Sequence, residues 1–194
     1  MSGTTLRELN GFDQSPARLA GSTLILVDFQ NTYTRGVLEL EGWEASLDAA
    51  ARLLARARAE GTRVVHVVHD GGEGTPYDIR AEIGQIHPRL TPVDGEPVVV
   101  KQAPDAFHGT DLATHVPEGQ DVVIAGWMTH MCVAFTAQGA FLRGNRPTVV
   151  AEATATRSLP VAGTDLAAAQ VHQGALATVA DLYGVVVATV GELL

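Results

Sequence analysis

The chain has 194 residues, a formal net charge of −9 and a single cysteine. That length fits one domain with a full hydrophobic core, and one cysteine excludes an internal disulfide and favours a reduced, cytoplasmic setting. The acidic balance argues against a nucleic-acid partner, and no apolar run approaches the ~18 residues needed to span a membrane.

Residues 1–20 are polar, mixed in charge and unlike a signal peptide; they are read as an N-terminal extension of a single domain covering 1–194. Six short β-branched runs follow: Thr23–Val27 ending at Asp28, Arg63–Val68 ending near His69 and Asp70, Pro97–Val100 ending at Lys101, Asp121–Ala125 ending at Gly126, Thr148–Ala151 ending at Glu152, and Gly184–Ala188. Near-continuous apolar strands belong to a sheet covered on both faces, which makes it mostly parallel. Leu47, Ala50, Leu54 and Ala57 recur at helical spacing, with Gly61 as a stop. Met131–Leu142 and Leu166–Leu182 predict two more helices, the latter capped by Thr164. Gly71–Pro92 reads as a loop or broken helix over the sheet edge. The alternation predicts a three-layer α/β/α sandwich with a mostly parallel six-stranded sheet, Rossmann-like in layout.

Ligands of such sheets bind beyond the carboxyl ends of the strands. Asp28 and Lys101 lie at such ends, and Cys132 lies just past another, where the first helical turn would favour a thiolate and offer N–H groups to an oxyanion. A buried inert thiol, a capping carboxylate and a solvated lysine are the ordinary readings of each residue alone. Together they supply a base, a cation and a nucleophile at one edge.

Leu26-Val27-Asp28-Phe29-Gln30-Asn31, Val100-Lys101 with Phe107-His108-Gly109-Thr110-Asp111-Leu112, and Ile124 through Val133 occur in that order, and the match continues through Thr136, Ala137, Ala140 and Gly144. In these motifs the chain resembles the isochorismatase-like cysteine hydrolases, which include N-carbamoylsarcosine amidases and nicotinamidases, over roughly residues 22 to 190. The resemblance implies an Asp28–Lys101–Cys132 triad and thioester chemistry on a C–N bond of a small molecule. It also implies a cis peptide between Trp127 and Met128 that helps aim the N–H groups of Met128 and Cys132 at an oxyanion, and a homo-oligomer, dimer or tetramer. The nearly charge-free segment Leu159–Leu182, rich in alanine, independently favours a covered face. Phe29, Tyr33, Phe107, Trp127 and His130 flank the motifs and are the candidate substrate contacts. A redox-sensing thiol or a non-catalytic oligomeric member of the superfamily are the alternatives, the former weakened by the lack of a resolving cysteine.

Nicotinamidases carry an Asp-x-His and a further His that bind a metal. Here the corresponding strand end reads His66-Val67-Val68-His69-Asp70, and residues three apart on a strand face opposite ways. No metal and no cofactor is expected. Isochorismatases proper lack the cysteine, so Cys132 argues against vinyl-ether hydrolysis. Activity is therefore expected to survive exhaustive chelation; its loss on chelation and return with zinc would overturn this reading of the strand end.

Overall fold

A computed structural model describes residues 3–194. Its main sheet has six parallel strands: β1 (Thr23–Val27), β2 (Arg63–His69), β3 (Val98–Lys101), β4 (Asp121–Trp127), β5 (Arg146–Ala155) and, after an intervening hairpin of β6 (Leu159–Val161) and β7 (Thr164–Leu166), β8 (Val185–Val187). The spatial order is β3-β2-β1-β4-β5-β8, so the chain winds outward in both directions from β1 and β4. The gap between the ends of β1 and β4 is the topological switch point, where such sheets bind ligands.

Alternate residues of each strand feed separate cores. Leu24 and Leu26 point to one face, Ile25 and Val27 to the other. The first face is covered by α2, after a short N-terminal helix α1 (Leu6–Leu9). α2 (Trp43–Ala59) buries Leu47, Ala50, Leu53, Leu54 and Ala57 as one stripe. It ends as its Gly61 promises: φ is +69°, and the N–H groups of Gly61 and Thr62 return to the carbonyls of Arg58 and Ala57 at 3.2 and 2.9 Å, a Schellman closure. A short α3 (Leu112–His115) precedes β4. The second face is covered by α4 (Ala134–Leu142) and α5 (Ala168–Thr178), through Val133, Ala137, Ala140 and Leu176. All six predicted strands and three helices are present, and the sheet is entirely parallel.

The predicted boundaries fail in two places. Thr164 does not cap a helix beginning at Leu166; it pairs with Val161 in the β6–β7 hairpin, and α5 begins only after Ala167. The hairpin turn has both Ala162 (φ +47°) and Gly163 (φ +79°) in the left-handed region, the geometry that matches strand twist in a two-residue loop. The predicted helices at 131–142 and 166–182 are each partly wide π-turns, at Thr129–Val133 and Val179–Tyr183. The stretch 71–92 is a loop with two short 3-10 turns. It folds back onto the first motif, with Asn31 and His87 N–H groups donating to Gln85 and Phe29 carbonyls. The N-terminal segment is docked: Leu6 N–H donates to Asp181 Oδ1 at 3.0 Å, and Ala17 N–H to Thr148 Oγ1 at 2.9 Å.

At the β2–β3 edge, Glu96 accepts from Arg58 (2.8 Å) and the Val93 N–H (3.1 Å) and lies 3.0 Å from His66 Nε2. Burial opposes its ionisation, but Arg58, His66 and Val93 more than offset this and hold its carboxyl down at about 2. That is below the ~4.3 of an unfolded glutamate, so the stabilisation is complete above about pH 4.3 and is lost as pH falls toward 2. Glu96→Gln is expected to lower the urea midpoint at neutral pH and to flatten its decline between about pH 4.3 and 2. Parallel pH profiles for variant and wild type would contradict this.

Candidate active site

The backbones of β1 and β4 approach closely where the two strands end. Asp28 follows β1 with φ +52°, a left-handed conformation that aspartate tolerates better than most residues. Its N–H donates to Val67 O at 2.9 Å and its carbonyl accepts from Gln30 N–H at 2.8 Å, which turns the carboxylate inward, fully buried. Across the switch point Gly126 has φ +155°, and a Cβ there would lie 2.3 Å from Val27 O. The Trp127–Met128 peptide is cis. The turn after it folds over Met128 O, which accepts from Met131 N–H (3.1 Å) and Val133 N–H (3.2 Å), and carries Cys132 back toward β1.

Lys101 arrives from the edge strand. β3 alternates, with Val98 and Val100 exposed and Val99 and Lys101 buried. The ammonium Nζ lies 2.8 Å from Asp28 Oδ2 and 3.2 Å from Cys132 Sγ, with both charged side chains fully buried. The lysine meets the carboxylate as an ion pair whose angle is poor for a hydrogen bond, so neither oxygen of Asp28 has a well-directed donor from it. The structure thus brings Asp28, Lys101 and Cys132 together.

Their protonation follows from burial and mutual charge. Burial raises the Asp28 carboxyl above its ordinary range while Lys101 pulls the other way. Burial and the Asp28 charge push the Cys132 thiol up to about 12, Lys101 opposing. Burial works against the Lys101 ammonium, but Asp28 and Cys132 outweigh it and raise its pKa. Desolvation and the neighbouring negative charge favour a protonated thiol at Cys132, opposing the thiolate expected of a helix start.

The candidate substrate contacts fare unevenly. Phe29 and Trp127 are 2% and 0% exposed and pack edge to face at 4.7 Å in the α2-side core, with Trp127 Nε1 donating to Ser46 Oγ at 2.7 Å. Tyr33 is buried beside them. Burial raises its hydroxyl pKa well above normal, and the charges of Asp28 and Cys132 add to this, which places it near the triad. Phe107 is half-buried under the Arg143 guanidinium, 5.1 Å from its ring. His130 is half-buried, Nδ1 2.5 Å from Thr156 Oγ1.

Three neighbours were not read from the sequence as part of a hydrolytic site. His69 Nδ1 lies 3.4 Å from Lys101 Nζ. The Tyr77 ring packs on His69 at 4.9 Å, its hydroxyl 3.3 Å from that of Tyr33. Arg157, just past β5, has a buried Nε with no partner among the described residues, and its charge reaches His130 and Tyr77. Tyr77 sits in a Gly/Pro-rich loop without periodicity and carried no signal, whereas Arg157 stands at a strand's carboxyl end, as Asp28 and Lys101 do. His66 turns away from this cluster to Glu96, so the two histidines of β2 do face apart. Among the described residues, no group of three or more His, Cys, Asp and Glu is placed to hold a metal ion.

The family model for the isochorismatase domain matches residues 22–191. The chain belongs to the isochorismatase family, a family of hydrolases. A secreted isochorismatase effector of Verticillium dahliae is 34% identical over 96% of this chain and 97% of its own length. The maleamate amidohydrolase of Pseudomonas putida is 33% identical over 76% of this chain and 75% of its own. The crystal structure of an isochorismatase from Pseudomonas putida KT2440 matches with a TM-score of 0.93 at 36% identity, covering 100% of both chains. The family shares the fold, so the α/β sandwich is that of an isochorismatase-family member.

Proposed function

We propose that this family member is a cysteine hydrolase that cleaves an amide-type C–N bond of a small molecule through a thioester on Cys132. The observation that carries the reading is the buried Lys101 ammonium, within 2.8 Å of Asp28 and 3.2 Å of Cys132. The amidohydrolase named among the relatives supports the bond type.

Asp28 accepts the Cys132 proton as Sγ attacks the substrate carbonyl. The tetrahedral oxyanion is held by the Met128 and Cys132 N–H groups. The protonated Asp28 gives its proton to the leaving nitrogen as the C–N bond breaks, releasing ammonia or an amine and leaving the thioester. Water then attacks the acyl carbon, its proton passing to Asp28, and collapse expels the sulfur, which is reprotonated. Lys101 stabilises the carboxylate and the developing thiolate throughout, with no cofactor. Phe29, Tyr33, Phe107, Trp127 and His130 are the proposed substrate contacts; for Tyr33 the reading is supported by the charges of Asp28 and Cys132 that reach its hydroxyl.

The chain is read as one functional domain, on which the segment around Leu6 and Ala17 docks. A cytoplasmic location rests on the single thiol; no helix among the described residues is long and apolar enough to cross a membrane, and the Verticillium relative is named as secreted. The active unit is a homo-oligomer. Support comes from an apolar groove of about 610 Å³ between α4, α5 and the β6–β7 hairpin, lined by Phe135, Leu159, Val161 and Val171, with Phe135 and Val161 exposed.

Cys132→Ala is expected to fold and to lose turnover of a primary amide by at least ~10³-fold, and Asp28→Asn nearly as much. Because burial raises the Asp28 pKa, the acid limb of kcat/KM should lie above the ~3.9 of an ordinary aspartate. Substantial amidase activity in Cys132→Ala would contradict the covalent route. Light scattering at low micromolar concentration should give a dimer or larger; a monomer mass near 20.4 kDa would refute the oligomer.

A further inference from the structure

β2 lies between β3 and β1, so the Lys101 side chain crosses the end of β2 to reach Asp28. The residue it crosses is its own register partner, His69. An ammonium has three N–H donors. One donates to Cys132 Sγ at 3.2 Å, Asp28 Oδ2 faces the ammonium as an ion-pair partner at 2.8 Å, and His69 Nδ1 lies at 3.4 Å as the acceptor for a further N–H. The Lys101 side chain is fully buried, so a third N–H without an acceptor would be a desolvated charge left unpaired.

His69 is suited to receive it. Its backbone is clamped on both sides by the fully buried Gln30, whose Oε1 accepts from His69 N–H (2.9 Å) and whose Nε2 donates to His69 O (2.9 Å) and Gly84 O (2.6 Å). Its ring edge is fixed by Tyr77. The charged and titratable groups around it are Lys101 from β3, Asp28 after β1, Tyr77 from the 71–92 loop and Asp70 beside it, the last paired with Arg80 at 3.6 Å. Burial and Lys101 lower its pKa, against Asp28 and Asp70, so the ring is neutral near pH 7 with Nδ1 free to accept.

We propose that His69 is a positioning residue, a neutral acceptor that takes the third Lys101 proton and so holds the ammonium charged and oriented between Asp28 and Cys132. The inference rests on the triad reading but is tested without substrate, because Cys132 is the chain's one cysteine and its alkylation can be followed by mass. Lys101 stabilises the thiolate, so weakening the ammonium slows alkylation. His69→Phe is expected to slow iodoacetamide modification at pH 8 by about tenfold. His69→Asn, which keeps a short acceptor near the Nδ1 position, is expected to restore most of the rate, with folding of both variants checked by circular dichroism. Wild-type alkylation in His69→Phe, or equal loss in folded His69→Phe and His69→Asn, would overturn the proposal. Amide turnover measured in parallel separates the two readings: inactivity of wild type on all amides counts against the hydrolase and leaves the alkylation result to decide the role of His69.

Discussion

The structure turns on one buried charge. An ammonium removed from water is tolerated only when anions and acceptors close around it, and Lys101 achieves this only if three strand ends converge. Two strand spacings of ~4.8 Å separate β3 from β1, so a shorter side chain on β3 would not reach Asp28. The parallel sheet delivers all three carboxyl ends to the same side. The order β3-β2-β1-β4 then puts acid, cation and thiol within one lysine's reach. Removing one partner of such a pair costs about 3–5 kcal/mol, so the site is also part of the fold's stability.

The same burial sets the chemistry. In water a carboxylate is far too weak a base for a thiol. Here desolvation raises both acids, while the cation favours whichever of them is negative. In the proposed mechanism, moving the proton from sulfur to Asp28 exchanges one anion for another beside Lys101, so the ammonium keeps a negative partner throughout. Phe29 and Trp127 pack edge to face in the α2-side core, next in sequence to Asp28 and to Met128.

The strands were legible because apolar β-branched runs have no other economical reading in a covered sheet, and a charged residue at the end of such a run marks where the sheet meets a cleft. That logic found Asp28 and Lys101, and the motif order found Cys132. It missed what depends on three-dimensional neighbours. His66 and His69 could be assigned to opposite faces by periodicity, but that Lys101 must pass over His69 follows only from strand order. The Ala162-Gly163 turn lies just before the predicted helix at 166–182, in a stretch too short to show strand alternation, and Thr164, read as that helix's cap, belongs to the hairpin. The wide turn at Thr129–Val133 was read as a helix start because its residues have no helix-breaking signal; it is set by the return of two N–H groups to Met128 O.

The central claim is that bond cleavage passes through sulfur. Its most direct measurement is intact-protein mass spectrometry of enzyme quenched during turnover of a slow amide or its activated ester. The account predicts a species heavier by the substrate's acyl group, with the added mass mapping to the peptide that contains Cys132 and decaying at the rate of product formation. Steady turnover with no acylated protein at any quench time, or an adduct mapping to another residue, would contradict it.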